Sequence, residues 1–107
     1  MIRGTTPTFT FTIKNKNVDL TQAQTIIVSL TQGCQEIEKT GEDLTVTEHA
    51  VEVWLTQKES LSLCEGSSCE VQINWTYLDP DGETVRRAAT RVRSIPISKQ
   101  LLMREIS

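Results

Sequence analysis

The 107-residue chain is poor in the residues from which catalytic sites are usually built. It has one histidine, three cysteines, three prolines and five scattered glycines. Scattered glycines exclude a glycine-rich phosphate loop. No stretch approaches the roughly eighteen consecutive apolar residues of a membrane span. The opening MIRGTTPT also lacks the apolar core of a secretion signal, so synthesis and at least initial residence in a cytoplasm are expected. Eleven basic residues against fourteen acidic ones leave a net charge of -3. A nucleic-acid partner is not expected, because phosphate binding needs a concentrated basic surface.

Cys34, Cys64 and Cys69 are odd in number and sparse, which excludes a disulfide scaffold. Three reduced thiols acting as small hydrophobes suit a cytoplasmic chain. Closure of the CEGSSC loop through Cys64 and Cys69 is the alternative outside the cell. Zinc held by the three thiols and His49 would lack any paired CxxC knuckle. His49 lies in TEHAVE, a polar bend or strand start, and needs a thiol and an orienting group brought to it before it could act as a base. The acidic run of Glu36, Glu38, Glu42 and Asp43 has no apolar surround to raise a pKa for acid catalysis. DPDGET is too short for a calcium loop and reads as a hairpin turn. No catalytic residue, metal or cofactor is expected.

What the sequence does contain is alternation. From Thr8 to Ile13, Phe9, Phe11 and Ile13 fall on one face and Thr8, Thr10 and Thr12 on the other, which predicts a strand with one buried face. After the polar turn KNKNVDLTQ, AQTIIVSLTQG reads as a strand apolar enough on both sides to be central in its sheet. Two short strands follow, around Ile37 and from Leu44 to Val46, broken at Gly41. VEVWLTQ points Val51, Val53 and Leu55 inward and Glu52 and Trp54 outward. Thr56 and Glu59 have the spacing of a capping box and predict one helical turn, with Leu61 and Leu63 facing in.

The CEVQINWTYLDPDGETVRRAATRVRSIPI stretch predicts a hairpin. Val71, Ile73, Trp75 and Tyr77 share one face, DPDG makes the turn, and a returning strand runs from Thr84 to Ile95. On that strand Arg87, Arg91 and Arg93 share a parity with Val85 and Ala89. They read as the solvated face of an edge strand, or as an interface for an acidic partner. The count is six to eight short strands with one helical turn. The expected fold is therefore all-β: a single antiparallel immunoglobulin-like β-sandwich over residues 1–97. Residues 98–107 form a tail whose Leu101, Leu102, Met103 and Ile106 are too apolar for free solvation. Such a tail docks on its own domain or on a neighbour.

The order of these segments carries a resemblance. RGTTPTFTF at Arg3–Phe11, the VDLTQ element, VWLTQKESLSL at Val53–Leu63, a long hairpin and a short tail together resemble small phage and prophage structural proteins of Gram-positive bacteria. These are similar to the N-terminal domain of siphophage baseplate upper proteins. The cysteine-bearing CEGSSC loop departs from that pattern. The resemblance implies a non-enzymatic virion subunit of the tail, baseplate or head-to-tail region. Its partners would be itself, as a homo-oligomer, and other virion proteins. Candidate assembly contacts are Arg3, Thr5 and Pro7 in an N-terminal arm, the three arginines above, and Leu101, Leu102, Met103 and Ile106 in the tail. The alternative is a carbohydrate- or protein-binding module using Trp54 or Trp75 as a stacking platform.

Overall fold

β-branched and aromatic residues at alternate positions favour extended, paired backbone, and the chain pairs in two layers. The computed structural model describes residues 1–15 and 17–106. Lys16, in the expected polar turn, and Ser107, at the end of the expected tail, lie outside the described residues. The strands are β1 (Thr8–Thr12), β2 (Thr25–Gln32), β3 (Gln35–Thr40), β4 (Leu44–Val46), β5 (Ala50–Trp54), β6 (Ser68–Leu78), β7 (Val85–Ala89) and β8 (Arg93–Pro96). One helix, α1 (Gln57–Leu61), joins β5 to β6. The first sheet has the order β1-β5-β4 and the second β3-β2-β6-β7, with β8 also paired to β6. All these pairings are antiparallel. The order corresponds to the B-E-D and C′-C-F-G pairing of an immunoglobulin sandwich without its first strand.

Register explains the core, because residues directly opposite one another point to the same side of a sheet. In the first sheet Phe9 and Leu44 flank Val53, and Phe11 and Val46 flank Val51. In the second, Ile26 faces Trp75, Val28 faces Ile73 and Leu30 faces Val71. The two inner faces meet, and Leu20, Leu55 and Leu63 are buried with them. Phe11 is buried, while Phe9 and Ile13 pack against the core from its margin. Thr8, Thr10 and Thr12 are exposed, as the alternation predicts. β2 lies between β3 and β6, so its apolar second face suits a central position.

Three details differ from the sequence reading. The returning strand is not continuous from Thr84 to Ile95. Ile73 and Thr90 exchange bonds across the pair, Thr90 N–H to the Ile73 carbonyl at 2.9 Å and Ile73 N–H to Thr90 Oγ1 at 3.1 Å. The next pair is Val71 with Arg93. Two steps on β6 thus match three on its partner, which is a one-residue β-bulge. A bulge reverses parity, so Ala88 points inward before it and Ile95 after it.

Tyr77 is the second difference. It keeps the parity of Val71, Ile73 and Trp75 but is 37% exposed, because it lies opposite Arg86 near the hairpin tip, beyond the core. Third, Leu63 is buried as expected, but within α1 the buried residue is Ser60 and Leu61 is only half-buried.

Candidate assembly surface

The N-terminal arm that holds the expected assembly contacts Arg3, Thr5 and Pro7 lies as a strap along its own domain. The Met1 ammonium donates to the Pro96 carbonyl at 2.8 Å, and the Ser98 N–H donates to the Met1 carbonyl at 2.6 Å. Arg3 N–H donates to Ser98, while its guanidinium donates twice to the Leu61 carbonyl, at 2.8 and 3.1 Å. Arg3 thereby satisfies a carbonyl at the C-terminus of α1, where cations are favoured. Thr5 closes a turn onto Ile2, and the Pro7 carbonyl accepts from Leu55.

Gly4 sits between these contacts with φ of +83°, a conformation natural to glycine. A Cβ there would also lie 3.0 Å from Leu61 and 3.6 Å from Gln100. Its N–H donates to Ser60 Oγ at 2.8 Å, and Ser60 has no exposed surface. Ser60→Ala leaves that N–H without its partner and is expected to cost about 1–3 kcal/mol. Urea denaturation should show the loss as a lower midpoint at unchanged slope.

α1 is held from its other side by Lys39. This residue shares the inward parity of Ile37 on β3, is 7% exposed, and pairs with Glu59. Its Nζ also lies 5.9 Å from the ring centroid of Trp54, within reach of a cation–π contact. Glu59 Oε1 additionally accepts from Thr56 N–H at 2.9 Å, so one carboxylate completes the capping box and neutralises a buried cation. Burial pushes the Glu59 carboxyl up. The hydrogen bonds from Lys39 and Thr56 and the Lys39 charge outweigh that and hold it below the ordinary carboxylate range.

A lowered folded-state pKa means stabilisation present at neutral pH and lost as pH falls through the lowered value. Glu59→Gln should destabilise by about 2 kcal/mol at pH 7, less than a fully buried broken pair because Glu59 is partly solvated. The gap between variant and wild type should then narrow in acid-denaturation curves below the ordinary carboxylate range.

The tail is tied by its backbone and left open by its side chains. After Ile97, which is buried, Ser98 is bridged to Ile2. Eight residues later the Gln57 side-chain amide makes two bonds to Ile106, donating to its carbonyl at 2.6 Å and accepting from its N–H at 2.8 Å. Between these anchors Leu101 is 87% exposed, and Leu102, Met103 and Ile106 are exposed as well. The tail backbone is thus bonded to its own domain at Ser98 and Ile106.

The arginines do not form one face. Arg87 lies on the outer face, donating to Asn74 Oδ1 at 3.0 and 3.2 Å. Arg91 falls in the bulge, and Arg93 stands opposite Val71 on the parity of Ile95. All three are exposed on the edge of the second sheet. A separate cleft of about 320 Å³ opens between the sheets, lined by Leu20, Ala23, Ile26, Leu44 and Val46 together with Thr21, Gln24 and Gly41.

Groups with chemical potential are dispersed. The cysteines are unbonded, Cys34 and Cys64 exposed and Cys69 buried. Burial, with the charge of Glu70, pushes the Cys69 thiol up and disfavours its reactive form. His49 has a buried Nδ1 without a partner, and its Nε2 is 3.9 Å from Glu48. Among the described residues no three His, Cys, Asp or Glu side chains are placed to hold a metal ion.

Sequence reasoning missed Lys39, Gln57 and Ser60. Only Lys39 had a signal, its shared parity with Ile37. The chain matches no known protein-family model, no curated protein and no solved structure.

Proposed function

We propose that this protein is a non-enzymatic structural subunit of a phage or prophage particle, in the tail, baseplate or head-to-tail region. It acts by burying its tail and strand edges against other copies and other virion proteins. The observation that carries the reading is the tail, where four large apolar side chains are exposed on a backbone anchored at Ser98 and Ile106. An anchored chain does not hide such side chains by rearranging freely, and grouped exposed apolar residues mark interaction sites. The ordered resemblance of RGTTPTFTF and VWLTQKESLSL to small phage structural proteins supplies the biological setting.

The test is mass spectrometry of purified particles released by cells carrying the gene. The chain should be present in fixed stoichiometric ratio to the other particle proteins. Its absence from particles, with the protein abundant in the lysate, would refute the assignment.

A second reading has one observation in its favour. Trp54 is 51% exposed beside the Lys39 cation, an arrangement able to stack on a sugar ring or a partner side chain. Trp75 does not share it, being 7% exposed in the core. Under the assembly reading glycan arrays stay blank. Glycan binding that Trp54→Ala abolishes would favour the binding module instead.

A further inference from the structure

The cleft and the tail carry opposite charges beside their apolar side chains. The cleft, at 320 Å³, is at the lower end of the range of roughly 300–1,000 Å³ in which proteins hold discrete ligands. Acidic residues adjoin its lining in the chain: Asp19 precedes Leu20, and Glu42 and Asp43 lie between Gly41 and Leu44. All three carboxylates are exposed, and among the described residues none makes an ion pair. On the tail, Leu101, Leu102 and Met103 are flanked by Lys99 and Arg104, with Glu105 following Arg104. These two cations are exposed and likewise make no ion pair among the described residues.

A chain's own tail sits elsewhere. Gln100 lies beside Gly4, Ile106 is bonded to Gln57, and among the described residues none that lines the cleft belongs to the tail, to α1 or to the N-terminal strap. We infer that the Leu101–Met103 segment of one copy seats in the cleft of a second copy, with Lys99 and Arg104 facing Asp19, Glu42 and Asp43. This contact rests on the assembly reading above and specifies the surface through which assembly proceeds.

The donor and acceptor surfaces differ, so the contact either repeats around a ring or along an open stack or is exchanged reciprocally in a twofold dimer. The paired charges are solvent-exposed, so association weakens as salt rises.

Two variants of the full chain test the contact. Ala23→Arg places a long cation in the cleft and leaves the tail intact. The triple variant L101S/L102S/M103S removes the apolar tail surface and leaves the cleft intact. In sedimentation velocity the wild type should form a dimer or larger oligomers, and each variant alone should be monomeric. An equimolar mixture should stop at a heterodimer, the tail of one variant in the cleft of the other.

If Ala23→Arg fails to fold by circular dichroism, the double variant E42K/D43K replaces it. It should weaken self-association at least tenfold, with recovery when K99E/R104E is added to the same chain. Wild-type-like assembly by the cleft variant alone overturns the proposal, as does a mixture that stays monomeric, and both leave the assembly reading standing. A monomeric wild type removes both together.

Discussion

Phe11→Asp should leave the protein unfolded at room temperature, without the near-ultraviolet signal of packed aromatic residues. Phe11 is buried opposite Val51 on the inner face of the first sheet, and its ring stacks with Phe9 at a centroid distance of 6.2 Å. Losing a core phenylalanine costs about 3–5 kcal/mol, and burying an uncompensated carboxylate adds several more. Domains of this size have about 5–15 kcal/mol of total stability. Thr10→Lys is the control on the same strand. Thr10 is exposed and faces Glu52 across the pair, so the change should stay within about 1 kcal/mol of wild type.

Deleting residues 1–6 should destabilise the domain and not merely impair its association. The deletion removes the paired bonds from Arg3 to the Leu61 carbonyl, about 1.5–3 kcal/mol for a charged donor. It also strips the buried Ser60 hydroxyl of its donor Gly4, a further cost of about 1–3 kcal/mol. At roughly 4–8 °C per kcal/mol for a domain near this size, Tm should fall by about 10 °C or more. An unchanged Tm would mean that the strap contributes nothing to stability.

The two outcomes separate what alternation reveals from what it hides. Phe11 could be placed from sequence because a strand with one wet face records that face every second residue. The β2 and β5 strands were equally legible, and the Thr56–Glu59 spacing marked α1 to within a turn. Alternation fails where the register slips. The bulge beyond Thr90 adds one residue, so Arg93, which shares a parity with Arg87 in the sequence, falls on the opposite face of the sheet.

Long-range polar contacts leave no periodic trace either. Arg3 meets Leu61 across 58 residues and Gln57 meets Ile106 across 49, and nothing local in either segment signals the pairing. Lys39 shows the intermediate case. Its parity with Ile37 pointed inward, but its partners Glu59 and Trp54 come from α1 and the opposite sheet.

Burying three tail side chains gains about 1.5–3 kcal/mol each, against an association cost of at least about 4 kcal/mol. A single contact is therefore weak, with a Kd of about 0.2 mM at best, and repetition within an assembly strengthens it. The most direct test is the weight-average mass of the full chain by sedimentation equilibrium, from low micromolar to near-millimolar concentration. An assembly subunit should show a mass that climbs with concentration and stays at the monomer value in L101S/L102S/M103S. A monomer mass throughout for both proteins would contradict self-assembly through the tail.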